Sequence, residues 1–220
     1  MVTSELRYRQ IFDISVLLGV ESIDYPEHKM FTRKQETKII GAESFRSSHL
    51  SIHAHAGTHL DAPAHLTDYA KTLDQYDITD FILPTLVVNI EDKRVIRPSE
   101  LEALDIHQGD AVLFRTDNSM SGRNITGTLS ENYVYMSVEA AEFCVERMLR
   151  LVGFDYFVPE KPKGGSNEPA PIHRILFEND ILILEGANLR KVSPGRYIMF
   201  CLPLKMKDSE GSPVRAILMR

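Results

Sequence analysis

The 220-residue chain has no tryptophan and only two cysteines, Cys144 and Cys201. Cys144 falls in a helical pattern and Cys201 in an apolar strand-like run, so both read as small buried apolar residues rather than as a disulfide or a nucleophile. No disulfide framework is implied, which fits a reducing compartment. No apolar stretch approaches the roughly 18 residues that a membrane span needs. The segment Met1 to Gln10 is polar and lacks an apolar core followed by a small-residue cleavage site. The expectation is a cytoplasmic chain that does not engage a membrane. A block of positive charge is missing too: 25 Lys and Arg are interleaved with 31 Asp and Glu, for a formal charge of -6. Binding to a phosphate backbone needs a basic footprint, so nucleic acid is not an expected partner.

What remains is an ordinary globular composition, 43% hydrophobic and 25% charged. The length suits one domain over residues 1–220, large enough to bury a core without staples. No internal repeat or low-complexity tract stands out. Strand-like runs dominate. Phe12 to Val16 is short, and from Phe45 to His55 the residues alternate, which predicts a strand with one buried face. Thr85–Ile90, Ala111–Arg115, Ile181–Glu185, Tyr197–Leu202 and Val214–Met219 read as interior strands. A short helix is expected near Ser99 to Leu104, and a longer one from about Val138 to Leu151, capped by Ser137 and stopped by Gly153. Lys161 to Pro171 reads as a loop, with strand-like sequence resuming after His173. The pattern as a whole predicts a single strand-rich α/β domain.

Five of the eight histidines, His49, His53, His55, His59 and His65, fall within 17 residues. Ligands of one zinc ion hold their donor atoms within roughly 4 Å of each other. If residues 55 to 59 were extended, four steps would part the two rings by about 13 Å. A helical turn would join them, but Gly57 and Pro63 oppose a long helix. A strand ending in a tight turn at Gly57 is the remaining option, because glycine takes positive φ freely. His59 and Asp61 then fold back beside His55, and Pro63 fixes the exit toward His65. Two imidazoles and a carboxylate suit zinc or manganese. Three protein ligands leave a position for water, whose pKa on such an ion falls to about 7. His65 is placed to move protons. His28 and His107 read as ordinary surface or core residues. His49 and His53 read the same way, or as supports behind the ligands.

The segment H-A-G-T-H-L-D-A-P-A-H resembles the H-x-G-T-H-x-D-x-P-x-H signature of the cyclase family of metal-dependent hydrolases, with seven fixed positions in eleven. That family includes bacterial kynurenine formamidase and isatin hydrolase. The likeness extends to Asp13-Ile14-Ser15 and Tyr25-Pro26, to His173-Arg174-Ile175-Leu176 with Ile183-Leu184-Glu185, and to Leu202-Pro203-Leu204-Lys205 with Gly211 to Ala216. It implies a swivelling β/β/α architecture and a homodimer or homotetramer. It implies that His55, His59 and Asp61 bind a first divalent metal, that Asp61 and Glu185 bridge to a second where two are present, that His173 binds the second, and that His65 is proton donor and acceptor. The implied reaction is cleavage of an amide, cyclic amide or lactone in a small-molecule substrate, at a C–N bond other than a peptide bond in the formamidase-like case. Two alternatives share the metal: a lyase or dehydratase with His65 as base, and a metal-binding module without turnover. The chain also departs from the family. Tyr25 stands where the formamidase has a tryptophan, and is expected in the substrate wall, with Phe157 and Phe31 as weaker candidates. Val158 replaces the serine of a G-x-D-x-x-S-x-D stretch beginning at Gly153. Both changes fall at the substrate, not at the metal.

Overall fold

Val112, Leu113 and Phe114 form an unbroken apolar run, which suits a strand covered on both faces. In the computed structural model, which describes residues 10–24, 28–40, 43–162 and 170–220, this run occupies the middle of a nine-stranded sheet. The strands are β1 (Ile11–Asp13), β2 (Phe31–Ile40), β3 (Glu43–Ile52), β4 (His59–Asp61), β5 (Ile82–Asn89), β6 (Val95–Ile96), β7 (Ala111–Arg115), β8 (Tyr135–Met136), β9 (Leu151–Phe154), β10 (Leu182–Glu185), β11 (Gly195–Phe200), β12 (Gly211–Pro213) and β13 (Ile217–Met219). The α-helices are α1 (Asp117–Met120), α2 (Val138–Glu146) and α3 (Pro171–Phe177). The large sheet runs β1-β13-β11-β5-β7-β9-β10-β4-β12. Its centre, β5 to β10, is parallel, and both flanks are antiparallel.

Alternate side chains feed two cores. Val112, Phe114, Val152 and Ile183 pack with Ala140, Ala141 and Cys144 of α2 and Ile172 and Leu176 of α3. On the other face Leu113, Leu151 and Leu184 share a core with Leu60 of β4 and Leu218 of β13. Strands β4 and β13 lie near opposite ends of the sheet order, so the sheet curls until its flanks meet over that core. The expected strand-rich α/β class is what the chain adopts. No helix among the described residues is long and apolar enough to cross a membrane.

Several expectations need correction. The alternating segment from Phe45 to His55 does form a strand, β3, but it ends at Ile52 and, among the described residues, pairs only with β2 in a separate ribbon. All ten β3 residues are exposed, so the alternation marks two accessible faces rather than a buried one. Helix α2 starts at its Ser137 cap but ends at Glu146, with Met148 at positive φ just beyond it. Gly153 does not stop the helix. It lies inside β9, where a Cβ would stand 2.2 Å from Leu113 Cδ2, so glycine is required for packing. The helix near Ser99 is only a 3-10 turn, Pro98–Glu100. After Pro171 the chain forms α3 rather than a strand, and that helix carries His173.

Candidate metal centre

The centre is built on the reversal that follows β3. Gly57 takes φ 65°, and a Cβ there would lie 2.6 Å from Leu18 Cδ2, so both conformation and space require glycine. Thr58 pins the turn: its Oγ1 accepts from Val16 N at 2.9 Å and donates to the Gly186 carbonyl at 2.7 Å. Strand β4 then pairs antiparallel with β10, setting His59 opposite Glu185 and Asp61 opposite Ile183. Alternation turns Leu60 into the core and leaves His59, Asp61 and Glu185 on the face that α3 covers. Pro171 occupies the first turn of α3, which delivers His173 to the same place. Pro63 opens a 3-10 turn, Pro63–His65, that brings His65 back over His55, with ring centroids 4.1 Å apart.

The donor atoms converge. His59 Nε2 lies 3.5 Å from Asp61 Oδ2 and 3.3 Å from Glu185 Oε2. His173 Nε2 lies 3.3 Å from Glu185 Oε1 and 3.8 Å from Asp61 Oδ2. His55 Nδ1 lies 2.7 Å from Asp61 Oδ1. The orientations are fixed from behind. His59 Nδ1–H donates to the Gly57 carbonyl at 2.9 Å, and His173 Nδ1–H donates to Glu160 Oε1 at 2.8 Å, so both rings present Nε2 to the carboxylates. Burial opposes charge on His59, but Asp61 and Glu185 override it and hold its pKa up at about 10. His173 is raised likewise: burial is outweighed by Asp61, Glu160 and Glu185. Asp61 is held well below the usual carboxylate range, because the surrounding imidazoles outweigh its own burial. His65 shifts the other way. Desolvation of its ring lowers its pKa, although the residue keeps an exposed edge.

Three of these atoms, His59 Nε2, Asp61 Oδ2 and Glu185 Oε1, are buried with no hydrogen-bond partner among the described residues. Such atoms are rare in native interiors and call for an explanation. Two donor atoms on one tetrahedral zinc ion stand roughly 3.3 Å apart, and the separations above cluster near that value. The residues therefore fit a divalent cation. Among the described residues two sets have donor atoms within 4.8 Å of one another: His55, Asp61 and His65, and His59, Asp61 and Glu185. Asp61 belongs to both, and His173 reaches the carboxylates of the second.

The Cyclase family model matches residues 12–161, about two thirds of the chain. The chain belongs to the cyclase family. It is 29% identical over 206 residues to the kynurenine formamidase of Bacillus thuringiensis subsp. konkukian, covering 94% of this chain and 95% of that one. It is 32% identical over 181 residues to cyclase-like protein 3 of Oryza sativa subsp. japonica, covering 79% of this chain and 66% of the rice protein. Among solved structures, isatin hydrolase A from Labrenzia aggregata bound to benzyl benzoate superposes with a TM-score of 0.79 at 22% identity, covering 96% of this chain and 93% of the other.

Within this cyclase-family chain all six metal and proton-transfer candidates from the sequence meet. His49 does not join them; it pairs with Glu36 on the exposed ribbon. His107 pairs with Asp105 elsewhere. His53 stands next to the site, its Nδ1 accepting from His55 N at 3.2 Å. Tyr25 lies outside the described residues. Sequence reasoning passed over three neighbours. Glu210 Oε1 sits 3.6 Å from His55 Nε2. Tyr156 lines a cavity beside His55 together with the weaker candidate Phe157. Glu160 holds His173, and its only sequence signal is an acid closing the stretch that begins at Gly153. Carboxylates behind ligating histidines typically carry about 10–100-fold of metal affinity or activity. Glu160→Gln is therefore expected to weaken metal binding or turnover by about that factor, read by calorimetric metal titration beside kcat. An unchanged value for both would remove Glu160 from the centre.

Proposed function

We propose that this cyclase-family chain is a metal-dependent hydrolase cleaving an amide, cyclic amide or lactone, acting on C–N bonds outside peptides in the formamidase-like case. One observation carries the reading: three donor atoms on β4 and β10 are buried and unpartnered, His59 Nε2 and Asp61 Oδ2 standing 3.5 Å apart and Glu185 Oε1 standing 3.3 Å from His173 Nε2. Leaving each so costs about 1–3 kcal/mol, and a bound cation would offset that cost. Relatives named as a formamidase and a hydrolase support the reaction class.

His55, His59, Asp61, His173 and Glu185 would hold one or two cations, with Asp61 shared. Imidazole and carboxylate donors suit zinc or manganese. Such a cation supplies Lewis acidity, polarising the scissile carbonyl and acidifying water. The Gly57 carbonyl and Glu160 keep His59 and His173 in the tautomer that offers Nε2. A ring nitrogen of His65 takes a proton from the attacking water and returns it to the departing nitrogen as the C–N bond breaks. His65 suits this because its lowered pKa favours the neutral, proton-accepting form.

The test is turnover of an N-formyl arylamine or a lactam by the zinc- or manganese-loaded chain in ¹⁸O-labelled water. One labelled oxygen is expected in the acid product. Chelation is expected to cut activity by at least about 100-fold and to lower Tm, since a ligand bound only to the native state stabilises it; re-added metal restores both. Product without solvent oxygen would point to a lyase, and an inert, metal-loaded chain to a binding module.

A further inference from the structure

Glu210 stands immediately before β12, and its backbone is fixed on both sides. Its carbonyl accepts from Ala62 N at 2.9 Å, and β12 then pairs with β4, Gly211 opposite Asp61. The Ser209 carbonyl accepts from Leu73 N at 2.9 Å, and Ser209 Oγ donates to the Gly211 carbonyl at 2.5 Å. Gly211 leaves room for the His55 ring: a Cβ there would lie 2.8 Å from His55 Cε1 and 3.0 Å from Asp61 Oδ1. The ring therefore packs against the backbone of β12, and the Glu210 carboxylate meets its edge, with Oε1 3.6 Å from Nε2. The His55 side chain is 12% exposed and that of Glu210 43%, so the carboxylate has room to close this ion-pair distance to a hydrogen bond. The mechanism above makes no use of Glu210.

His55 is mounted the other way round from its neighbours. His59 and His173 are held at Nδ1 and present Nε2 to the carboxylates. In His55 it is Nδ1 that faces Asp61, at 2.7 Å, and Nε2 that faces Glu210. Both partners are carboxylates and only accept. A neutral ring has one N–H, so it satisfies one of them and sets its lone pair against the other. With the proton on Nδ1, the Nε2 lone pair opposes Glu210, and Asp61 Oδ1 is taken up by the N–H. With the proton on Nε2, Glu210 is satisfied, and Nδ1 and Asp61 Oδ1 are both free to serve one cation. A carboxylate on the remote nitrogen of a ligating imidazole fixes its tautomer and raises its basicity.

We propose that Glu210 is a positioning residue for His55: it holds the proton on Nε2, so that His55 gives Nδ1 to a cation shared with Asp61. This rests on the metal centre of the reading above, not on its reaction, and deepens it by naming the nitrogen that His55 supplies and the group that selects it. Glu160 acts on the opposite nitrogen of His173. Two carboxylates thus hold two histidines of one centre in opposite tautomers.

The experiment is ¹⁵N–¹H correlation NMR of the histidine rings in the zinc-loaded wild-type chain. His55 is expected with its proton on Nε2 and zinc on Nδ1, and His59 and His173 with the proton on Nδ1 and zinc on Nε2. Zinc on His55 Nε2, or a His55 ring free of zinc, overturns the assignment. Glu210→Ala is expected to weaken zinc binding about 10–100-fold, read by competition with a chromophoric chelator. Glu210→Gln keeps an acceptor oxygen and is expected to lose less. In Glu210→Ala the ring signals of His59 and His173 are expected to stay at their wild-type positions while those of His55 move. Unchanged affinity or an unchanged His55 ring overturns the proposal, and so does a change spread evenly over all three rings, the mark of general damage. Should Glu210→Ala not fold, the wild-type spectrum decides. None of these readouts needs turnover. A wild type that binds zinc as described but hydrolyses nothing sinks the hydrolase reading alone. A wild type that takes up no zinc sinks the metal centre, and this inference with it.

Discussion

Asp61→Asn is expected to strip the protein of its cation and to reduce hydrolysis by more than about 10³-fold, beyond the loss of a single electrostatic stabiliser. The substitution keeps the shape and removes the charge. Asp61 is 1% exposed and faces three imidazoles: Oδ1 lies 2.7 Å from His55 Nδ1, and Oδ2 lies 3.5 Å from His59 Nε2 and 3.8 Å from His173 Nε2. It is also the one residue common to both possible ligand sets. An ion held by either set therefore has Asp61 among its ligands. The same change unbalances the metal-free chain, because His59 and His173 owe their raised pKa values partly to this carboxylate. Breaking a buried charge pair from one side costs about 3–5 kcal/mol. For a chain of this length that corresponds to a drop in Tm on the order of 10 °C. Elemental analysis of the purified variant, thermal melts and kcat/KM read the three effects separately. Wild-type metal content with wild-type turnover would remove Asp61 from the centre.

The turn at Gly57 was legible because its alternatives fail on distance: an extended path parts His55 from His59, and a helical path meets Gly57 and Pro63. The structure brings those rings to 5.2 Å by the reversal the argument requires. Glu185 was a different case. A carboxylate ending an apolar strand has no signal of its own, and only the family resemblance singled it out. What places it beside His59 is the β4–β10 register, a pairing across 126 residues that local sequence does not encode. The grouping of donors was hidden for the same reason. The sequence put His55 with His59 and treated His65 apart, whereas His59 stands with Glu185 and His65 stands within reach of His55 and Asp61.

Local pattern misled wherever the surroundings decide its meaning. Alternation in β3 reports that polar and apolar residues take turns, but not whether another layer covers the strand; in the β2–β3 ribbon neither face of β3 is buried. Helix α3 has seven residues, too few for a 3.6-residue period to show, so the strand-like content after His173 dominated the reading. Gly153 looked like a helix stop because glycine has that use. Here its missing side chain makes room for Leu113 instead.

His65→Ala is expected to keep the cation and to lose about 10²–10⁴-fold in kcat, the usual worth of a positioned proton carrier. His65 differs from its neighbours in accessibility. His59, Asp61, His173 and Glu185 are buried, while His65 is exposed on the rim, its ring 4.1 Å from that of His55 and 5.5 Å from that of His173. A carrier must meet both solvent and substrate, and the rim position allows it. Because His65 is exposed, truncation is expected to shift stability by no more than about 0.5 kcal/mol, so lost turnover would not reflect unfolding. The rival role is also concrete, since a His65 nitrogen lies close enough to His55 and Asp61 to share a cation with them. Metal content separates the two. A variant that retains its metal but turns over slowly, and recovers in part when imidazole is added, identifies a proton carrier. A variant that loses metal in step with activity makes His65 a ligand, and the proton must then be carried by another group.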